Sequence, residues 1–184
     1  MVEDTQIARS KAIQQQTGKT FHVATRLLPQ RIREATYVLY AFFRVADEGV
    51  DDPGDRSPAE QRAELEAIRA AALGEQETDD PVLAAFAELR ETYDIDPADV
   101  DTFIDAMASD VDTDRYETYA ELEAYMDGSA SAVGRMMTAV MEPDNPEQAL
   151  PHATALGEAF QLTNFIRDVR EDIVERDRIY LPQS

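Results

Sequence analysis

Apolar side chains in this chain recur at helical spacing almost from end to end, and the strict alternation of a half-buried strand is nearly absent. That pattern predicts an all-α fold, cut into segments by proline and glycine. Residues 4–16 read as a polar helix, and 19–28 as a short second one stopped by Pro29. Residues 30 to about 51 form a long amphipathic segment that turns strongly apolar over 35–46. A turn at 52–55 follows. Ser57 then stands as N-cap, with Pro58 at the first position of a charged helix to Leu73. Further helices are predicted over 81–93, 97–109, 118–141 and 150 to about 176, with a turn at 143–146. Neither an internal repeat nor a linker interrupts the chain, so residues 1–184 are expected to form one all-helical domain.

Composition removes several function classes. Cysteine is absent, which excludes disulfides and thiolate chemistry. Only His22 and His152 carry imidazoles, far apart in sequence, so a Ser-His-Asp triad or a zinc site is disfavoured. Acidic residues number 38 against 17 basic ones, a net charge of −21, and only Lys11 and Lys19 are lysine. Such a charge speaks against nucleic acid as a partner. Spread along the chain rather than gathered in a tail, it reads as a salt-adapted surface whose self-repulsion is screened by electrolyte. It also disfavours anionic lipid as a partner. The N-terminus lacks the basic-then-apolar pattern of a signal peptide, and the longest apolar run, 37–43, is too short to span a bilayer. The expected location is the cytoplasm, with peripheral membrane contact allowed. The sequence sets no oligomeric state.

The chemistry concentrates in two acidic helix faces. A step of four residues advances about 40° around an α-helix. Asn164, Asp168 and Asp172 therefore form a ladder on one face, with Gln161 beneath. On the apolar segment upstream, Tyr40, Arg44, Asp47 and Asp51 follow at steps of four, three and four, with Glu48 and Asp52 as helpers or solvated neighbours. Carboxylates at this spacing suit a hard divalent cation; Mg²⁺ takes one or two of them and fills its shell with water and phosphate oxygens. Two such faces set opposite each other would hold a diphosphate between metal ions. Arg167, Arg170, Arg176 and Arg178 flank the second face, as i,i+4 partners of Glu171 and Glu175 or as diphosphate contacts. The small residues Gly128, Ala130, Ser131, Ala132 and Gly134 follow Tyr125; they allow close helix packing or a groove for a hydrocarbon chain. Asp110, Asp112 and Asp114, with Glu121, imitate a calcium loop, but Arg115 replaces the required glycine and the match is read as chance.

Taken together these motifs resemble the squalene/phytoene synthase family, the head-to-head prenyl synthases. The resemblance runs from about Phe21 to Pro182. It is carried by Leu156-Gly157, Gln161, Asn164, Arg167-Asp168, Asp172 and Arg178-Ile179-Tyr180-Leu181-Pro182, by residues 125–134, and by residues 37–51. The pattern looks most like prokaryotic phytoene synthases, salt-adapted archaeal forms above all. Gly49 departs from the aliphatic residue usual in the first motif and predicts a loosened helix end, since glycine costs about 1 kcal/mol against alanine inside a helix. The family continues through several more helices beyond the second motif, so the chain resembles a C-terminally short form, natural or cut.

The resemblance implies an isoprenoid-synthase-type helical bundle around a central cavity. It implies Mg²⁺-dependent condensation of two geranylgeranyl diphosphates through prephytoene diphosphate to phytoene, in carotenoid biosynthesis, with Mn²⁺ as an alternative ion. On this reading Asp47, Asp51, Asn164, Asp168 and Asp172 hold metal. Arg44, Arg167 and Lys19 contact the diphosphate. Tyr40, Tyr125 and Gln161 line the reacting end, and Phe21 and the small residues near Ala130 border the prenyl channel. Squalene synthase, acting on farnesyl diphosphate with NADPH, is the alternative within the same chemistry. A non-catalytic helical binding or assembly protein is the alternative from another class; retention of Asp47, Asp51, Asp168 and Asp172 argues against it.

Overall fold

Side-chain caps and proline starts fix most helix boundaries in the computed structural model, which describes residues 2–51, 54–175 and 177–182. Asp52 and Arg176 thus lie outside the described residues. In α4 (Pro58–Leu73) Ser57 and Glu60 close a reciprocal capping box, and Gly74 ends the helix in the left-handed conformation at φ 76°. Asp80 accepts from the amide of Val82 at 2.7 Å at the head of α5 (Pro81–Thr92). Asp96 does the same for Ala98 at 2.9 Å ahead of α6 (Pro97–Ser109). α1 (Asp4–Thr17) and α2 (Lys19–Thr25) precede α3 (Gln30–Asp51). The helix-loosening expected of Gly49 does not occur: α3 runs through it to Asp51, and its last turn is held by packing of Val50 against the core.

Three boundaries differ by more than one residue from the sequence reading, the first being the end of α2 at Thr25 rather than Leu28. Residues 118–141 form not one helix but α7 (Tyr119–Met126), a single π-helical turn (Asp127–Ser131) and α8 (Ala132–Met141). Gly128 explains the break: its backbone lies so near the Thr102 carbonyl and Ala106 of α6 that no side chain fits, and the wider turn accommodates that approach. The last helix, α9 (Pro146–Glu175), starts four residues before the expected Leu150. Asn145 accepts from the amide of Gln148 at 3.3 Å, so Pro146, read as part of a turn, is instead the first helical residue. Pro151 is carried inside α9.

The core is built around α3. Its Val38, Leu39, Ala41, Phe42 and Ala46 are buried, and α1, α4, α5, α6 and α8 pack about it. Phe42 stacks on Phe86 of α5 with ring centroids 3.8 Å apart and meets Phe103 of α6 at 5.6 Å. A ring so enclosed stabilises the fold by about 1.5–3 kcal/mol relative to exposure. α9 docks on the π turn and α8 through two glycines. A Cβ on Gly134 would sit 2.6 Å from the Ala153 carbonyl, and one on Gly157 would sit 2.5 Å from that of Ala130. The small residues of 128–134 thus serve close packing against α6 and α9, while Ser129 and Val133 reach the cavity described next. No strand occurs among the described residues; Arg115 and Ile179 form one isolated bridge.

Candidate active site

A cavity of about 500 Å³ opens between α3, α6, the π turn and α9. Its volume lies within the usual range of small-molecule sites. α3 contributes Tyr40, Phe43, Arg44, Asp47 and Asp51, and α9 contributes Gln161, Asn164, Phe165, Arg167, Asp168 and Asp172. The two acidic faces picked out by helical spacing therefore share one cavity. Tyr125 also lines it. Phe21 does not; it is half exposed on α2 and stacks on the ring of Tyr40 at 5.6 Å. Lys19 is exposed on the same helix and is also not part of the lining, because α2 packs beside the cavity rather than over it.

Carboxylates and guanidinium groups alternate around the opening. Arg44 is ion-paired with Asp47 and lies 3.8 Å from Glu48. Arg167 donates to both oxygens of Asp168, at 2.7 and 2.5 Å, which raises the arginine pKa above its ordinary value. Arg178 Nη1 donates to Asp51 Oδ1 at 3.1 Å. Arg44 Nε is a buried donor that finds no acceptor among the described residues.

Sequence reasoning missed the floor of the site. Asp110, set aside as part of a chance calcium loop, is buried and accepts a 2.7 Å hydrogen bond from the Tyr125 hydroxyl. Burial pushes its carboxyl up to about 7, opposed by the Tyr125 bond and by Arg178, and assisted by the charges of Asp51 and Asp47. Burial, and then the charge of Asp110, raise the Tyr125 phenol well above its usual range. A signal was present: Phe103, Met107 and Asp110 follow at steps of four and three, so an acid ends the apolar face of α6. All three line the cavity.

Residues 177–182 form a strap across this floor. Ile179 N donates to the Asp114 carbonyl at 2.8 Å. Arg178 Nη2 donates to the Asp110 carbonyl at 3.0 Å. Tyr180 stacks on Phe165 at 4.3 Å and stands 5.7 Å from Tyr125. Burial raises the Tyr180 phenol to about 12.

The donor set can be tested against a divalent ion. Among the described residues, no three acidic or imidazole groups are gathered closely enough to cage one alone. Carboxylates come instead as one pair on each helix, Asp47 with Asp51 and Asp168 with Asp172. That supply fits Mg²⁺, which keeps water and phosphate oxygens in most of its octahedral shell. Arg44, Arg167 and Arg178 fit the phosphate oxygens themselves.

A family model described as squalene/phytoene synthase matches residues 14–184. The chain belongs to the squalene/phytoene synthase family. It is 35% identical over 173 residues to the phytoene synthase of Cereibacter sphaeroides, covering 90% of this chain and 48% of that protein. With the presqualene diphosphate synthase of Rhodopseudomonas palustris it shares 41% over 172 residues, covering 91% and 59% respectively. Its fold is similar to a crystal structure of a dehydrosqualene synthase in complex with ligand, with TM-score 0.85, 30% identity, and coverage of 97% of this chain and 62% of that one. The chain spans about half the length of several of the curated relatives it matches.

Proposed function

We propose that the cavity is a prenyl diphosphate site and that the protein acts as a phytoene synthase, joining two geranylgeranyl diphosphates head to head. The observation that carries this reading is the convergence of Asp47 and Asp51 from α3 with Asn164, Asp168 and Asp172 from α9 on one cavity with an aromatic wall. Phytoene synthases among the relatives support it. Mg²⁺, held by those five residues, would supply Lewis-acid stabilisation of the departing diphosphate. Arg44 and Arg167 bind its oxygens as charge develops, a preorganised electrostatic contribution. The first allylic cation alkylates the double bond of the second substrate. Loss of a proton to the released diphosphate closes the cyclopropyl ring of prephytoene diphosphate, which sheds its own diphosphate in turn, rearranges and gives up a second proton to form phytoene. Tyr40, Tyr125, Phe165 and Tyr180 present ring faces to those cations, and Asp110 fixes the Tyr125 hydroxyl by accepting its proton in a hydrogen bond. The apolar wall from Phe43, Phe103 and Met107 keeps water from quenching the cation.

The presqualene diphosphate synthase at 41% identity and the dehydrosqualene synthase fold favour a second reading, the same condensation on farnesyl diphosphate. Product analysis separates the two. The chain, and a version extended to the length of its relatives, are incubated with each diphosphate and Mg²⁺, with and without NADPH. Phytoene or prephytoene diphosphate from the C20 substrate is expected without NADPH. C15-derived products alone would replace the first reading with the second, and no prenyl product from either chain would defeat both.

A further inference from the structure

His22 stands on α2 with both ring nitrogens engaged. Nδ1 lies 3.0 Å from Oε1 of Gln14, and Nε2 lies 3.3 Å from Nε2 of Gln15. The ring stacks on buried Tyr37 of α3 with centroids 5.7 Å apart. Gln14 and Thr25 are buried, and Gln14 Nε2 donates to Thr25 Oγ1 at 3.2 Å. Thr25 Oγ1 in turn donates to the Phe21 carbonyl at 2.8 Å. Only one direction satisfies all of these bonds. A carbonyl can only accept, so the Thr25 proton goes to Phe21 and the threonine oxygen must accept from the Gln14 amide nitrogen. The Gln14 oxygen then faces His22, so Nδ1 carries the imidazole proton and Nε2 accepts from Gln15. The chain runs from Gln15 through His22, Gln14 and Thr25 to Phe21, and it ties α2 to α1. Thr25 is the only buried residue of α2, so polar bonds rather than apolar packing fix this short helix.

Phe21, where the chain ends, stacks on Tyr40 at 5.6 Å. Two neighbours hold the same tyrosine. Thr17 Oγ1 donates to the Ile13 carbonyl at 2.9 Å, so its 3.1 Å contact with Tyr40 is a bond given by the tyrosine hydroxyl. A Cβ on Gly18 would sit 2.4 Å from that hydroxyl oxygen, so the backbone there lies against it and no side chain fits. Tyr40 lines the cavity, whereas Thr17, Gly18 and Phe21 do not; they grip it from outside.

We infer that His22 and Gln14 are positioning residues for Tyr40: their hydrogen-bond chain fixes α2 so that Thr17, Gly18 and Phe21 hold the tyrosine ring at the cavity wall. That role rests on the reading of the cavity as a prenyl diphosphate site. A ring already held in place meets an allylic cation in its working orientation. A freed ring must be ordered each time a prenyl group binds, which costs affinity for the hydrocarbon and not for the diphosphate.

Two measurements test this. Nitrogen-15 NMR of the imidazoles sees only His22 and His152. Above about pH 8, where ordinary imidazoles are neutral, His22 should show the Nδ1–H tautomer, and Gln14→Met should remove that preference. The Nε2–H tautomer in wild type would overturn the chain. Calorimetry with Mg²⁺ then compares geranylgeranyl diphosphate with inorganic pyrophosphate. His22→Phe keeps a ring on Tyr37 and drops both hydrogen bonds. It should weaken geranylgeranyl diphosphate about tenfold, the scale of one lost hydrogen bond, and leave pyrophosphate within about twofold. Thr25→Val, which breaks the chain without touching the imidazole, should do the same, and circular dichroism checks that both variants remain helical. In a Tyr40→Ala background, His22→Phe should cause no further loss. An additive loss would mean that the histidine acts elsewhere and would overturn the assignment; so would an equal loss of pyrophosphate, which marks general damage to the site. Wild-type binding that survives in both variants defeats the positioning role alone, whereas no binding of geranylgeranyl diphosphate to wild type defeats the prenyl diphosphate reading with it.

Discussion

Gly128 and Gly49 occupy opposite environments, and the difference is measurable. A methyl group on Gly128 would run into the Thr102 carbonyl of α6, whereas one on Gly49 meets nothing within 4 Å. Gly128→Ala is expected to destabilise by about 1–3 kcal/mol through overpacking. Gly49→Ala is expected to stabilise by about 0.4–1 kcal/mol, by restricting the unfolded chain and improving helix propensity. Denaturant titration of both variants checks the pair; a stabilised Gly128→Ala would contradict the packing described. Asp110 gives a pH prediction. Its carboxyl, near 3.8 when unperturbed, is raised to about 7 in the fold, mainly by burial. The fold therefore binds a proton that the unfolded chain has released over that interval. Stability from this group is fully present below about pH 4 and is lost as pH rises through about 7. Tm should fall between pH 5 and pH 8 more steeply in wild type than in Asp110→Asn; parallel curves would refute the assignment. The aspartates of the two acidic ladders were legible because helical spacing alone puts them on a face. Asp110 was not, because its environment comes from Tyr125, Arg178 and Tyr180, 15 to 70 residues away along the chain.

Helix starts were legible at Ser57-Pro58 and Asp96-Pro97, where a side-chain cap precedes proline. Asn145-Pro146 carries the same signal but was hidden by a cluster of turn-forming residues around it. The π turn could not be read from sequence, since it answers to the approach of α6 and α9 rather than to local propensity. At this scale the strap is the testable part. Arg178 ties α3, through Asp51, to the Asp110 carbonyl and the Tyr180 hydroxyl. Arg178→Ala should release residues 177–182, so that the Ile179 amide, bonded to Asp114, exchanges hydrogen about tenfold faster or more. Unchanged protection would mean that the Tyr180–Phe165 stack holds the strap alone.

Across the whole molecule, the net charge of −21 opposes compaction, and salt should relieve that repulsion. Tm is expected to rise as NaCl increases from about 0.1 M to about 1 M, over which the screening length falls from about 10 Å to about 3 Å. A flat or falling Tm would show that local ion pairs, such as Arg69 with Asp101 at 3.0 Å, outweigh the long-range field. The all-helical class was legible because periodicity repeats in every segment. The arrangement of the helices was not: α3 is central because Phe42 meets both Phe86 and Phe103, and pairings of that kind leave no mark in local pattern. Most direct for the central claim is a calorimetric titration of geranylgeranyl diphosphate with and without Mg²⁺, on wild type, Asp51→Asn and Asp168→Asn. Opposed carboxylate pairs predict binding that requires Mg²⁺ and weakens by at least about tenfold in each variant, one altered on α3 and the other on α9. Binding that ignores Mg²⁺, or that survives intact in both variants, would contradict the account.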